Sequence, residues 1–203
     1  MRRILEPYGT SVSESESAKI RAYIELLTAW NRKIALTAVK SEDEILRFHF
    51  GESLFALKKW SIEKGRLADV GTGAGFPGLA LKIVRPELRV TVIDPNKKKC
   101  AFLHEVVRVL EFRDVEIQPT SFEAVSIEAG ALSCVTSRAL GVTPKFLSWS
   151  RSKLDAAGRI LLWIGKDDCR DLLAVSEWSW GEPTLIPGTS NRMILAGTPK
   201  NPH

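Results

Sequence analysis

Apolar positions recur at helical spacing along the first sixty residues and at strand spacing after that. Ile20, Tyr23, Ile24, Leu26, Leu27 and Trp30 fall on one helical face. Ser13-Glu-Ser-Glu16 before them has the form of a capping box, in which serine and glutamate satisfy each other's free amides. Asn31-Arg-Lys33 ends that run in a basic turn. Ser41-Glu-Asp-Glu44 is a second capping box, and Ile45, Phe48, Leu54, Phe55 and Leu57 predict a second amphipathic helix behind it. A helical N-terminal cap is therefore expected over residues 1–60, with a linker around Lys58–Arg66.

From Leu67 onward short β-rich runs alternate with helical ones. Strands are predicted at 67–71, 89–94, 114–118, 132–137, 159–164, 182–186 and 191–197, and helices at 77–84, 97–110, 142–154 and 167–175. This alternation implies an α/β, Rossmann-like fold, with a mostly parallel sheet and helices on both faces. Only a short turn with Pro187-Gly188 separates the last two strands, so they should pair antiparallel. The chain has no internal repeat and no low-complexity segment.

The chemistry concentrates in Leu67-Ala-Asp-Val-Gly-Thr-Gly-Ala-Gly-Phe-Pro-Gly78 and in Val90-Thr-Val-Ile-Asp94. An apolar strand ends in an acid, a glycine-dense turn leads into a helix, and the next strand ends in a second acid. Glycine lets the backbone approach a nucleotide-like ligand closely. An acid about 20 residues downstream is placed to hydrogen-bond ribose hydroxyls. That order points to an adenosine-containing ligand rather than a bare tight turn. Gly73-Ala-Gly75-Phe-Pro-Gly78 formally fits the dinucleotide fingerprint G-x-G-x-x-G. However, Asp69 would crowd a pyrophosphate, and Pro77 removes one early helix amide. A cationic sulfonium without phosphate suits the turn better, which favours S-adenosylmethionine over NAD.

Length and composition bound the rest. The 203 residues fit one domain, or one domain with a small appendage, and can bury a sizeable core. The net charge of +5, from 29 basic and 24 acidic residues, permits an anionic partner without demanding one. Lys97-Lys-Lys99 with Arg32, Lys33, Lys145 and Arg151 could form a phosphate-binding face. Cys100, Cys134 and Cys169 have no metal-ligand or redox spacing and read as reduced, mostly buried thiols; no metal is expected. The chain has no membrane-length apolar run, and Met1-Arg-Arg-Ile-Leu-Glu-Pro7 has no secretion-signal core. A soluble cytoplasmic protein, monomeric and without membrane contact, is the expectation.

Ala29-Trp-Asn-Arg-Lys-Ile34, Leu36-Thr-Ala38, His49-Phe-x-x-Ser53, Asp69-Val-Gly-Thr-Gly-Ala-Gly-Phe-Pro-Gly78 and Thr136-Ser-Arg-Ala139 together form a pattern. It resembles that of the bacterial 16S ribosomal RNA guanine-N7 methyltransferases, also called glucose-inhibited division protein B. The similarity runs from about residue 20 to about residue 165. It implies a class I S-adenosylmethionine methyltransferase domain over 61–203, packed with the cap as one unit. The implied substrate is one guanine in the decoding region of 16S ribosomal RNA, naked or in a small-subunit assembly particle. The implied coproduct is S-adenosylhomocysteine. By family position, Gly71 and Phe76 would contact the cofactor, Phe122-Glu123 would hold its adenine, and Arg138 would contact it at the tip of the fourth strand. Ala35, Glu52, Ser133 and Trp163-Ile-Gly-Lys166 depart from the family pattern, which usually has asparagine, aspartate, aspartate and an Ala-Leu-Lys-Gly-like stretch there.

Guanine N7 carries an exposed lone pair, so no proton has to leave before attack. The chain accordingly has no Asn/Asp-Pro-Pro-aromatic motif for an exocyclic amine and no evident cysteine nucleophile. Catalysis would rest on alignment and exclusion of water. The expected cofactor site comprises Asp69, Gly71, Gly73, Gly75, Phe76, Asp94, Phe122, Glu123 and Arg138, with Arg138 also the catalytic candidate. Asp94 is weighed against a helix N-cap, Asp69 against turn stabilisation, and His49 against simple packing. The competing functions are methylation of a protein or small molecule, ribosome assembly without turnover, and NAD-dependent dehydrogenation.

Overall fold

The computed structural model describes residues 1–138 and 141–200. Among them eight strands form one sheet: β1 (Gly65–Val70), β2 (Leu88–Ile93), β3 (Val115–Gln118), β4 (Leu132–Arg138), β5 (Leu154–Gly165), β6 (Trp178–Trp180), β7 (Thr184–Leu185) and β8 (Arg192–Pro199). Their order is β3-β2-β1-β4-β5-β8-β6, with β7 also paired to β8. β1 to β5 run parallel to their neighbours, and β8 runs antiparallel to β5, β6 and β7. The helices are α1 (Arg2–Leu5), α2 (Glu14–Asn31), α3 (Glu42–Ile45), α4 (Glu52–Phe55), α5 (Gly78–Val84), α6 (Lys97–Val109), α7 (Pro144–Lys153) and α8 (Lys166–Leu173). Among the described residues no helix is long and apolar enough to cross a membrane.

The central strands are covered on both faces, and alternate side chains serve two separate cores. Leu67, Val90, Val92, Cys134, Leu161 and Trp163 face the cap with α5 and α6. Ala68, Val70, Ile93, Val135, Ile160 and Leu162 face α7 and α8. The cap shares the first core through Leu5, Tyr8, Ile20, Tyr23, Leu27 and Phe50. The expected linker is also buried there through Trp60 and Ile62.

Both capping boxes form, Ser13 with Glu16 and Ser41 with Glu44. The second predicted helix is less regular than its spacing suggests. From Ile45 it passes through a π-helical turn, Leu46–Gly51, before α4. That turn buries Leu46, His49 and Phe50 and leaves Phe48 only partly buried. The predicted strand 182–186 shrinks to Thr184–Leu185, and β6 at Trp178–Trp180 was not anticipated. Three residues show no periodicity. β6 is held by tertiary contact, its two indoles stacked 5.4 Å apart and Trp180 opposite Gly197 in the sheet register. A Cβ on Gly197 would run into the Trp180 ring, so that glycine makes room for the pair.

Tyr23 ties the cap to the sheet. Its hydroxyl donates to the Ala74 carbonyl at 2.7 Å with no exposed surface. Gly75 has φ +88°, and a Cβ there would collide with that hydroxyl. Tyr23→Phe should cost about 1–2 kcal/mol through the unpaired carbonyl, and Gly75→Ala should cost more. The two should couple: in the phenylalanine background the alanine penalty should shrink, which urea denaturation of the double-mutant cycle will measure.

Candidate functional site

The strand order reverses between β1 and β4, and the carboxyl ends flanking that switch point are where open α/β sheets place ligands. β1 ends in Asp69-Val70, paired in register with Thr136-Ser137 of β4. Asp69 has no exposed surface. It accepts from the Thr72 hydroxyl (2.6 Å), the Gly78 amide (2.9 Å) and the Thr136 hydroxyl (2.9 Å). Burial pushes its carboxyl up to about 6 against the pull of those donors. Its oxygens are taken up by three donors of the fold, which is the geometry of a turn-stabilising carboxylate.

That engagement also discriminates between ligands. At the start of α5, Pro77 has no amide hydrogen, Gly78 N–H is taken by Asp69, and Leu79 N–H donates to the Gly75 carbonyl at 2.8 Å. These amides are not available to a pyrophosphate, which needs free donors at a helix start.

The glycine loop folds back over the tip of β2. Gly71 and Thr72 amides both donate to the Ile93 carbonyl, at 2.9 and 3.2 Å. Gly71 and Gly73 have φ of +69° and +58°, which glycine adopts without a steric penalty. A Cβ on Gly73 would meet nothing nearer than the Gly71 carbonyl at 3.9 Å, so this part of the loop borders open space. Gly75 instead makes room for Tyr23, as above, and Gly78 for Asp69. Asp94, largely buried beside the loop, accepts from the Gly73 amide (3.0 Å) and the Asn96 amide (2.9 Å), with Lys99 Nζ at 3.9 Å. The cap of α6 is Asn96, which accepts from the Lys98 and Lys99 amides, so Asp94 is not the N-cap.

Phe76 does not face solvent. It is 2% exposed and stacks on Tyr23 (5.2 Å) and His49 (4.8 Å), with Phe50 edge-on at 5.1 Å. Its ring seals the joint between cap and loop, so any ligand contact at this position falls to the backbone. Phe122 and Glu123 form a short 3-10 turn past the end of β3. Phe122 packs edge-on against Phe146 and Trp149, while Glu123 pairs with Lys145 at 3.0 Å.

Arg138 ends β4, and its guanidinium is already engaged. Nη1 donates to the Phe48 carbonyl (2.7 Å) and Nη2 to His49 Nδ1 (2.8 Å), with Cζ 5.6 Å from the Phe76 ring centre. A guanidinium only donates, so Nδ1 must accept and the imidazole proton sits on Nε2. Nε2–H then donates to the Thr37 hydroxyl at 2.7 Å. Burial, then the charges of Arg138 and Arg192, push His49 down to about 3, and it stays neutral. Asn31 shapes the Thr37 loop by accepting from the Leu36 and Thr37 amides and donating to the Thr37 carbonyl. The Asn31, Thr37 and His49 motifs thus converge on Arg138. His49 was open between packing and function; its ring packs on Phe76 and holds the Arg138 guanidinium. The neighbouring motif residue Ala139 lies outside the described residues.

Beside Arg138 opens a cavity of about 410 Å³, lined by Phe48, His49, Glu52, Arg138, Trp163 and Arg192 among others. Glu52, Trp163 and Arg192 were not anticipated there. The signals available were Glu52 within His49-Phe-x-x-Ser53 and the departure at Trp163-Ile-Gly-Lys166, whereas Arg192 reaches the site through the β5–β8 pairing. A larger cavity of about 610 Å³ between α7 and α8 touches neither the glycine loop nor Arg138.

The basic face holds together only in part. Lys97 to Lys99 begin α6 at the carboxyl edge of the sheet, and Lys145, near the start of α7, pairs with Glu123. Arg151 lies near the far end of α7 and donates to the Lys200 carbonyl past the end of β8, at the opposite edge. Lys166 is exposed at the start of α8, Ala35 is exposed, and the Ser133 hydroxyl donates to the Arg66 carbonyl. The three cysteines are buried and free, with Cys134 pushed up to about 12 by burial.

The chain matches, over residues 16–178, the family model described as rRNA small subunit methyltransferase G. It is 32% identical over 199 residues to the ribosomal RNA small subunit methyltransferase G of Chloroflexus aggregans, covering 93% of this chain and 84% of the relative. It is 33% identical to the protein of the same name from Roseiflexus castenholzii, with 95% and 87% covered. In fold it is similar to a SAM-dependent methyltransferase from Aquifex aeolicus, with a TM-score of 0.63 at 16% identity over 76% of this chain and 92% of that one.

Removing Asp69 leaves three donors at the switch point without their acceptor. Asp69→Ala should cost about 2–4 kcal/mol in urea denaturation, and Asp69→Asn less. The aspartate also carries a pH signature. Its folded-state carboxyl, at about 6, lies above the unfolded value of 3.8. The folded state therefore holds the extra proton between those values, and stability declines as pH rises through that window, then levels above it. The stability of wild type relative to Asp69→Asn should fall from pH 4 to about pH 6 and flatten beyond. A difference that rises over that window would assign the anion, not the acid, to the folded state at low pH.

Proposed function

Because this chain belongs to the rRNA small subunit methyltransferase G family, we propose that it transfers a methyl group from S-adenosylmethionine to N7 of one guanine in 16S ribosomal RNA. The observation that carries the reading is that the glycine loop, Asp94 and the Arg138–His49–Thr37 chain all lie at the carboxyl edge of the sheet, with Arg138 packed over the loop residue Phe76 and, together with His49, lining the cavity of about 410 Å³.

The residues present fit the cofactor. The open space in front of Gly73 accepts an adenosyl group that a side chain there would displace. Asp94 has a lone pair left on each oxygen beyond its amide partners, suited to the ribose hydroxyls. To Phe122-Glu123, past the carboxyl end of β3, we assign the adenine. Bound there, S-adenosylmethionine supplies an electrophilic methyl group on a sulfonium. Asp69 acts on it indirectly, by fixing the loop. Arg138 acts as the wall shared by cofactor and acceptor, and its bonds to Phe48 and His49 keep that wall still.

The acceptor side needs no base. Guanine N7 presents a lone pair without losing a proton, and the nearest imidazole, His49, is neutral with Nδ1 occupied by Arg138. The residues therefore contribute alignment and a dry pocket, the terms that bring a bimolecular reaction to near-attack geometry. A modest net charge of +5 fits recognition of an assembled small-subunit particle over tight binding to naked RNA.

Mapping N7-methylguanosine in ribosomal RNA from cells lacking this protein tests the reading. One guanine in 16S ribosomal RNA should lose its modification and regain it on complementation; an unchanged map would refute the assignment. At the cofactor, Asp94→Ala should weaken S-adenosylmethionine binding by about 1–3 kcal/mol in calorimetry. Unchanged affinity would remove Asp94 from the site.

A further inference from the structure

Glu52 is a buried carboxylate that the cofactor site does not use. Its side chain is 3% exposed, and Oε1 lies 2.7 Å from Nη2 of Arg192. No donor among the described residues makes a well-aligned hydrogen bond to that oxygen. Phe48 and Trp163 line the same cavity, as do His49, Arg138 and Asp168. The Trp163 indole N–H donates to the Glu52 backbone carbonyl at 2.7 Å, not to the carboxylate. A carboxylate accepts about four hydrogen bonds, and burying one without them is costly. Arg192, half exposed, lies 5.0 Å over the Phe48 ring, which fixes its guanidinium at the mouth of the same cavity. Arg138 lines the same cavity, next to the glycine-loop residue Phe76.

We propose that Glu52 and Arg192 select the acceptor base: Glu52 accepts from N1–H and the N2 amino group of guanine, and Arg192 donates to O6. This inference rests on the guanine-N7 reading above. Guanine alone among the four bases presents an imino N–H and an amino group side by side with a carbonyl oxygen next to them. A carboxylate beside a guanidinium is the complement of that edge. Adenine in the same pose would aim the N1 lone pair at the carboxylate and an amino group at the guanidinium, so both contacts become repulsive. The geometry also orients the base. N7 lies across the purine from N2, so anchoring the N2 edge at Glu52 turns N7 away from that carboxylate. A base reaches such a pocket only when flipped out of its stack, and the aromatic walls at Phe48 and Trp163 suit a flipped base.

The test uses the full-length protein, radiolabelled S-adenosylmethionine and small-subunit ribosomal RNA, assembled into particles. The RNA carries either guanosine or a single inosine at the methylated position. Inosine keeps N7, O6 and N1–H and lacks only the N2 amino group. Wild type should lose about 10-fold or more in kcat/KM on inosine. Glu52→Gln, which presents a donor where an acceptor is needed, should lose about 10- to 100-fold on guanosine. Its guanosine-to-inosine ratio should collapse toward one, with S-adenosylmethionine affinity unchanged. Glu52→Asp keeps the carboxylate and should restore most of the preference. If Glu52→Gln fails to fold, the wild-type ratio still decides, because equal rates on the two RNAs overturn the proposal without any variant. A Glu52→Gln protein that keeps the wild-type ratio overturns it as well. Absence of N7-methylguanosine with the guanosine RNA overturns the guanine-N7 reading and this inference with it. Normal methylation without discrimination overturns the inference alone.

Discussion

The carboxylate of Asp69 is the constraint on which the rest of the site depends. It sits at the point where the strand order reverses, with no water to solvate it. A charge so placed is tolerable only with donors around it, and its three donors come from three elements. Thr136 belongs to β4, Thr72 to the glycine loop, and Gly78 to the first turn of α5. One side chain therefore fixes the spacing of β1 and β4, the shape of the loop and the position of the helix. The loop, so held, lays its Gly73 amide on Asp94 and leaves its open side toward the crevice. The same arrangement consumes the helix amides that a phosphate would need, so a structural requirement sets a ligand preference.

A second tie runs from the sheet to the cap. Arg138 donates to Phe48 and His49, His49 donates onward to Thr37, and Tyr23 reaches the loop carbonyl at Ala74. Between these polar links lies the Phe76 ring, stacked on both Tyr23 and His49. A guanidinium held against an imidazole requires the imidazole to stay neutral, and burial ensures that it does. The cap is therefore part of the site and not an appendage to it. Loss of any link would move one wall of the cavity relative to the cofactor loop.

The strands and the glycine loop were legible in the sequence because local physics sets them: a buried parallel strand is a short apolar run, and a loop in left-handed conformations shows its glycines. The capping boxes were legible for the same reason, as the required side chains are three residues apart. Legibility failed where a residue's role depends on a distant partner. Asp69 looked like a ligand contact because nothing local reveals that Thr136, 67 residues away, occupies one of its oxygens. Phe76 looked like a cofactor contact because the cap that buries it is more than twenty residues upstream. The π-helical turn at Leu46–Gly51 was hidden because its apolar residues match an ordinary helix, and the wider turn is what directs His49 toward Arg138. β6 left no trace, since three residues carry no period.

The two halves of the site have different origins. On the reading proposed above, the cofactor half is built from β1, β2, the glycine loop and β4, in a sheet whose fold resembles that of a solved methyltransferase at 16% identity. That neighbour carries the fold and not the acceptor. On the same reading the acceptor half is the cavity lined by Phe48, His49 and Glu52 of the cap and Arg192 of the C-terminal hairpin, with Arg138, Trp163 and their neighbours supplied by the sheet. In this proposal the methyl donor has a fixed place on the sheet, and the choice of acceptor is left to the cap and the C-terminal hairpin. The Arg192–Glu52 pair joins those two segments directly, across 140 residues of sequence, and both residues line the cavity. Such a division lets the acceptor change without disturbing Asp69, because no donor to that carboxylate lies in the cap or the hairpin.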